Sequence, residues 1–114
     1  MKREVGDYIQ DVIDATSKGM RFVEGMEYED FIHDDKTVFA LIRAVEVIGE
    51  AVKNIPDDLK NKYPEIPWRN MAGMRNKLIH AYFGVDIKRV WKAIKEEIPP
   101  LKPIFEKILA NLGK

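Results

Sequence analysis

The densest gathering of groups able to handle a phosphate lies in one helical stretch that holds Arg69, Arg75, Asn76, Lys77 and His80. Lys88, Arg89 and Lys92 follow closely and extend the positive patch. Histidine titrates near neutrality, so it can take a proton from a hydroxyl or give one to a departing oxygen. Arginine stays charged and forks onto phosphoryl oxygens. Cutting a ribose–phosphate chain needs just these parts. A base takes the proton of the ribose 2′-hydroxyl, a cation holds the charge that grows on the phosphoryl oxygens, and an acid helps the 5′-oxygen leave. Arg75 and His80 are a minimal set for this reaction, with no metal and no cofactor required. Their spacing alone leaves a second reading open, because a lone helical histidine also serves as a structural hydrogen-bonder. His33, in the polar run His33-Asp34-Asp35-Lys36, reads as structural.

A second set of charges deserves comparison with the first. Arg43, Glu46, Glu50 and Lys53 form one narrow polar stripe on an otherwise apolar helix. Glu46 and Glu50 stand four apart and repel unless cations lie near. The stripe either faces solvent or faces a cleft or subunit interface, where it would orient Arg75 or His80. The second reading places Glu46 or Glu50 close to the His80 helix.

Composition excludes several classes. Net charge is zero, with 19 basic and 19 acidic side chains, so nucleic-acid contact has to use a local cluster of charge. Cysteine is absent, which removes disulfides, thiolate metal sites and cysteine nucleophiles. Two histidines without cysteine make a dedicated zinc site poor, and there is no phosphate-cradling glycine loop. The charged start MKREVGDYIQDV has no apolar signal core, and no apolar run approaches the roughly 18 residues of a membrane span. These features point to a cytoplasmic protein. A length of 114 residues fits one domain.

The elements that must position these residues are helices. Val5, Tyr8, Ile9, Val12, Ile13, Thr16, Met20 and Val23 recur at helical spacing, with Gly25 as the stop. A loop with one helical turn follows around Tyr28 to His33, pinned by Phe31. The spacing predicts a second long helix over 36–54, with Val38, Leu41, Ile42, Val45, Ile48 and Val52 inward and Phe39 and Val47 widening its apolar surface. Pro56 ends it. A short helix over 57–63 precedes a third main helix that opens on Pro67 and ends before Gly84. Asp86 is a natural N-cap for a fourth. After Pro99-Pro100 a last helix turns Leu101, Ile104, Phe105, Ile108, Leu109 and Leu112 inward. The expected fold is all-α, an up-and-down bundle of four to five main helices.

Longer stretches carry a resemblance. Tyr63-Pro64-Glu65-Ile66-Pro67-Trp68 leads into Met71-Ala72-Gly73-Met74-Arg75-Asn76-Lys77-Leu78-Ile79-His80-Ala81-Tyr82-Phe83-Gly84-Val85-Asp86, then Val90-Trp91. Upstream stands Arg43-Ala44-Val45-Glu46-Val47-Ile48-Gly49-Glu50-Ala51. Over nearly its whole length the chain resembles the HepT-like toxins, a branch of the HEPN ribonuclease superfamily. That family's arginine-x4-histidine-x-tyrosine signature is present as Arg75, His80 and Tyr82, with Ala81 where an acidic residue is common. The resemblance implies a homodimeric helical bundle that cleaves RNA without metal. It implies catalytic roles for Arg75 and His80, with Asn76 beside them. It further implies a cognate nucleotidyltransferase antitoxin of the MntA type, which would silence the toxin by transferring AMP to Tyr82. The same resemblance also allows a non-catalytic helical subunit that binds such a nucleotidyltransferase.

Helical geometry adds a constraint. At about 100° per residue, Arg75 and His80 point about 140° apart. Asn76 shares a face with His80, and Tyr82 shares one with Arg75. A single helix therefore cannot easily aim Arg75 and His80 at one phosphate, whereas Arg75 of one chain can meet His80 of a second.

Overall fold

The computed structural model describes residues 3–80 and 86–113, with the side chains of 75–80 outside the description. Every regular element among the described residues is helical: α1 (Val5–Phe22), α2 (Tyr28–Ile32), α3 (Asp35–Lys53), α4 (Asp57–Asn61), α5 (Trp68–His80), α6 (Ile87–Lys92) and α7 (Lys102–Leu112), with a π-helical turn at Ala93–Glu97 and a 3₁₀ turn at Pro99–Leu101. The fold is all-α, as the periodicity predicts.

Helix starts are set by short acidic side chains. The backbone N–H of Glu4 donates to the Asp7 carboxylate at 2.8 Å, and that of Glu27 donates to Asp30 at 2.9 Å. These bonds satisfy donors that a helix start leaves open. Asp86 caps α6 as expected, accepting from the N–H of Arg89 at 3.1 Å. Asp34 does the same for α3, accepting from the N–H of Thr37 at 3.1 Å. Donation from the Thr37 backbone, then from its hydroxyl, holds the Asp34 carboxyl below the usual carboxylate range. A depressed folded pKa stabilises above the unfolded value and is lost as pH falls through the folded one. Asp34→Ala should therefore lower the melting temperature at neutral pH and leave less of a difference from wild type in acid. Thermal melts of both proteins at pH 7 and pH 2.5 check this.

The ends depart from the sequence reading in informative ways. Helix α1 stops at Phe22, and Gly25 takes φ 77° in the turn beyond it, a conformation that glycine adopts without the steric cost of a Cβ. Pro67 does not open α5 as its first residue. Its carbonyl accepts the first helical bond from Met71 at 3.0 Å, so it occupies the N-cap position before Trp68. The expected fourth helix is interrupted. Ile98 donates to Ala93 at 2.8 Å, closing the wider π turn before Pro99 and Pro100 end the segment. Lys95 on that turn donates to the carbonyls of Val23 and Met26 and lies 5.3 Å from the Trp91 ring centroid, tying the turn to the end of α1.

The core is a cluster of apolar side chains in which α3 packs on α1 and α5, and α1 packs on α7. Ile9, Val12, Leu41, Val45, Ile48, Val52, Phe105 and Ile108 are buried in it. Phe31 is fully buried and rests on Trp91, so it pins α2 as expected. Met20 and Leu112, assigned inward, are instead exposed, as is Phe39, expected to widen the apolar surface of α3. Near the end of α1, Gly19 is the buried position in place of Met20, and Val23 just beyond the helix is buried as expected. An added Cβ at Gly19 would meet Ile94 Cγ2 at 3.0 Å, so the missing side chain is what lets the π turn come this close. Leu112 lies in the last turn of α7 and Phe39 on the outer side of α3.

Candidate active site

The backbone of α5 runs through Arg75, Asn76 and His80, and the buried Met71 and Met74 seat the helix on the core. Its start is held firmly. The indole N–H of Trp68 donates to the carbonyls of Lys60 and Tyr63 at 3.1 and 3.0 Å, and its ring meets Phe105 edge-on at 5.6 Å. Asn111 of α7 donates to the Tyr63 hydroxyl at 3.2 Å. The segment 59–63 and α7 thus clamp one end of the helix that carries the signature. The side chains of Arg75, Asn76 and His80, and all of Tyr82, lie outside the described residues, as does the expected end before Gly84.

Helix α3 is described throughout. Arg43, Glu46 and Glu50 fall on its outer side and line a cleft of about 280 Å³ together with Arg3, Tyr8 and Asp11. A second cleft, about 320 Å³, continues along the α1–α3 seam past Asp14, Lys18, Phe22 and Ala40, and shares Asp11, Arg43 and Val47 with the first. Three of the four stripe residues, Arg43, Glu46 and Glu50, thus line an open groove between α1 and α3, and Lys53 is exposed beyond it. The groove is mixed in sign. Arg3 donates to Asp11 at 2.8 Å, and that bond holds the guanidinium above its ordinary pKa. Among the described residues, Arg43 and Glu46 have neither an ion pair nor a side-chain hydrogen bond. The expected proximity of Glu46 or Glu50 to His80 rests on a side chain outside the description.

Residues missed from the sequence are those that join separate helices. Arg3, Tyr8 and Asp11 complete the groove only because α1 lies against α3, and no spacing along the chain marks them. One member of the expected positive patch is already engaged. Arg89 pairs with Glu97, and its own N–H is bound by Asp86. Lys88 and Lys92 are exposed, four apart on α6. His33 is exposed, with its imidazole 3.9 Å from the Glu29 carboxylate. Among the described residues no group of three His, Asp or Glu could hold a metal ion, and no helix is long and apolar enough to cross a membrane.

The described residues form helices alone, and Arg75 and His80 stand on the backbone of the one that Trp68 clamps. The comparison with known proteins gives the class: residues 12–108 match the family described as Ribonuclease HepT-like, and the chain belongs to that family of ribonucleases. A Thermococcus cleftensis protein named "Probable ribonuclease HepT" is 56% identical, over 95% of this chain and 98% of its own length. Two Methanocaldococcus jannaschii proteins with provisional RNase names are 47% and 48% identical, each over 97% of this chain and over 92% and 96% of their own lengths. No solved structure matches the chain.

Proposed function

We propose that this ribonuclease is the metal-independent RNA endonuclease toxin of a toxin–antitoxin pair, acting in the cytoplasm as a single-domain chain paired with a second copy. The observation that carries the reading is the intact Arg75-x4-His80-x-Tyr82 spacing in a chain that matches the HepT-like family over residues 12–108. His80 takes the 2′-hydroxyl proton, the oxygen attacks the adjacent phosphorus, and the bond to the 5′-oxygen breaks, leaving a 2′,3′-cyclic phosphate and a 5′-oxygen that takes up a proton. Arg75 holds the phosphoryl oxygens as negative charge builds on them. Asn76, four residues before His80 on the same helical face, steadies the imidazole or the phosphate. Arg43, Glu46 and Glu50 act as supporting groups from the side of α3 that lines the groove against α1. Because Arg75 and His80 diverge by about 140° on one helix, each site takes Arg75 from one copy and His80 from the other.

The partner is an MntA-type nucleotidyltransferase, and its target is Tyr82. The phenolic oxygen attacks the α-phosphorus of a nucleoside triphosphate, pyrophosphate leaves, and the new AMP sits on the Arg75 side of the helix. A phosphate there fills the place of the substrate's phosphate. Tyr82→Phe should keep RNA cleavage and escape silencing when toxin and transferase are expressed together. Silencing of the phenylalanine variant would remove Tyr82 from this role.

The decisive experiment is expression without the transferase. Growth arrest that His80→Ala abolishes supports the toxin. Harmless expression, with no cleavage of RNA by the purified protein, favours the non-catalytic binding subunit.

A further inference from the structure

Two residues of α5 depart from the local rules of a helix with no gain inside the chain. Gly73 stands in the helix interior, where glycine costs stability relative to alanine. Among the described residues, a Cβ added at Gly73 meets nothing within 4 Å, so no packing asks for the missing side chain. Gly19 is the opposite case, because its bare backbone admits Ile94. Arg69 puts a positive charge in the first turn of α5. The helix dipole favours acids there, and α1 to α4 each carry one while α5 has none. Arg69 is exposed and has neither an ion pair nor a side-chain hydrogen bond among the described residues. Local departures of this kind collect where a protein meets a ligand. Both residues share a row with the signature. Arg69, Gly73, Asn76 and His80 are spaced four, three and four apart, which at about 100° per residue confines them to an arc about 60° wide. The row lies opposite the buried Met71 and Met74 and runs about 16 Å along the axis.

We infer that this row is the track along which the RNA strand reaches His80. Arg69 holds a backbone phosphate away from the cut, and Gly73 is bare so that the sugar–phosphate chain can lie against the helix backbone. The inference rests on the ribonuclease reading of the site and adds two substrate-binding positions to it. The chemistry of the row selects the occupant. A protein helix laid over a glycine needs apolar neighbours to bury, and the row has none: its positions are a cation, a bare backbone, an amide and an imidazole. A single RNA strand needs a fixed cation for a phosphate and room for close approach, and the row has both. Zero net charge makes such a local contact necessary. The α1–α3 groove suits a strand less, because Asp11, Asp14, Glu46 and Glu50 alternate there with Arg3, Lys18 and Arg43. Three helical turns separate Arg69 from His80, so Arg69 binds the strand and takes no part in the bond changes. A contact that remote is made equally before and during cleavage, and it acts on KM more than on kcat.

The test reads the anisotropy of a fluorescent single-stranded RNA on the full His80→Ala chain, which holds the strand without cutting it, over a range of salt. Adding Arg69→Gln should weaken binding by about 3- to 10-fold and lower the slope of log affinity against log salt by about 0.7, the share of one phosphate on a single strand. Adding Gly73→Gln should raise the melting temperature by about 2–6 °C, because a helix glycine is lost, and yet weaken binding by about 10-fold or more. Stability and affinity that move in opposite directions separate a strand contact from a merely structural glycine. With His80 restored, Arg69→Gln should raise KM for the same RNA and change kcat little. Binding indifferent to both changes overturns the inference, while cleavage by wild type keeps the ribonuclease reading. A wild type that neither binds nor cuts RNA overturns both. Gly73→Gln that alters sedimentation of the protein and not its affinity for RNA gives the row to a protein contact, which also overturns the inference.

Discussion

Replacing His80 by alanine is expected to lower RNA cleavage by about 10²- to 10⁴-fold, the usual worth of a positioned general base. Arg75→Ala should fall comparably, because charge on the phosphoryl oxygens is then left without its cation. Neither change should alter the melting temperature much if both side chains serve substrate and not the core. The sharper result comes from mixing. When the two variants are unfolded together and refolded, half the dimers hold one chain of each kind. A site built across two copies then pairs the Arg75 of the His80→Ala chain with the His80 of the Arg75→Ala chain. Each mixed dimer has one intact site of two, so activity should recover to about a quarter of wild type. A mixture as inactive as either parent would return both residues to a single chain, which would then need a helix distortion or a long arginine reach to bring them together.

Much of the scaffold of that site is legible in the sequence because apolar period and capping chemistry act locally. Asp86 caps α6, and α3 spans Asp35–Lys53 against an expected 36–54. What the sequence hides is contact between distant segments. Met20 has the right spacing for the core, yet Gly19 takes the inward place because Ile94 and Lys95 arrive there from the π turn. That turn is itself unmarked in the sequence, since Val90, Trp91, Ile94 and Ile98 fit an unbroken α-helix equally well. Phe39 reads as an extension of the apolar surface of α3 by residue type, although its angle places it with Arg43 and Glu46. The site is divided in the same way. The Arg75–His80–Tyr82 spacing is local and readable, while the groove from Arg3 to Glu50 exists only once α1 and α3 have packed.

Phe105→Ala is expected to cost about 3–5 kcal/mol, the usual range for emptying a buried aromatic site. Phe105 is 1% exposed on α7 and meets Trp68 nearly perpendicular, at 84°. The loss compares with the roughly 5–15 kcal/mol that keeps a domain of this size folded, so the variant is left marginal. Urea titration followed by circular dichroism should show a lower midpoint with little change in slope, as expected when stability changes without a change in exposed surface. Phe105→Leu, which keeps most of the volume, should lose less than half as much. The position also connects the core to the site. Trp68 is the first residue of α5, and with Phe105 gone its ring loses an edge-on neighbour while its indole still bridges Lys60 and Tyr63. The helix that carries Arg75 and His80 is then clamped by hydrogen bonds without the packing behind them. RNA cleavage by Phe105→Ala should therefore decline at temperatures where circular dichroism still reports a folded protein. Cleavage that tracks the folded fraction alone would show that the Trp68 clamp acts on stability and not on the geometry of the site.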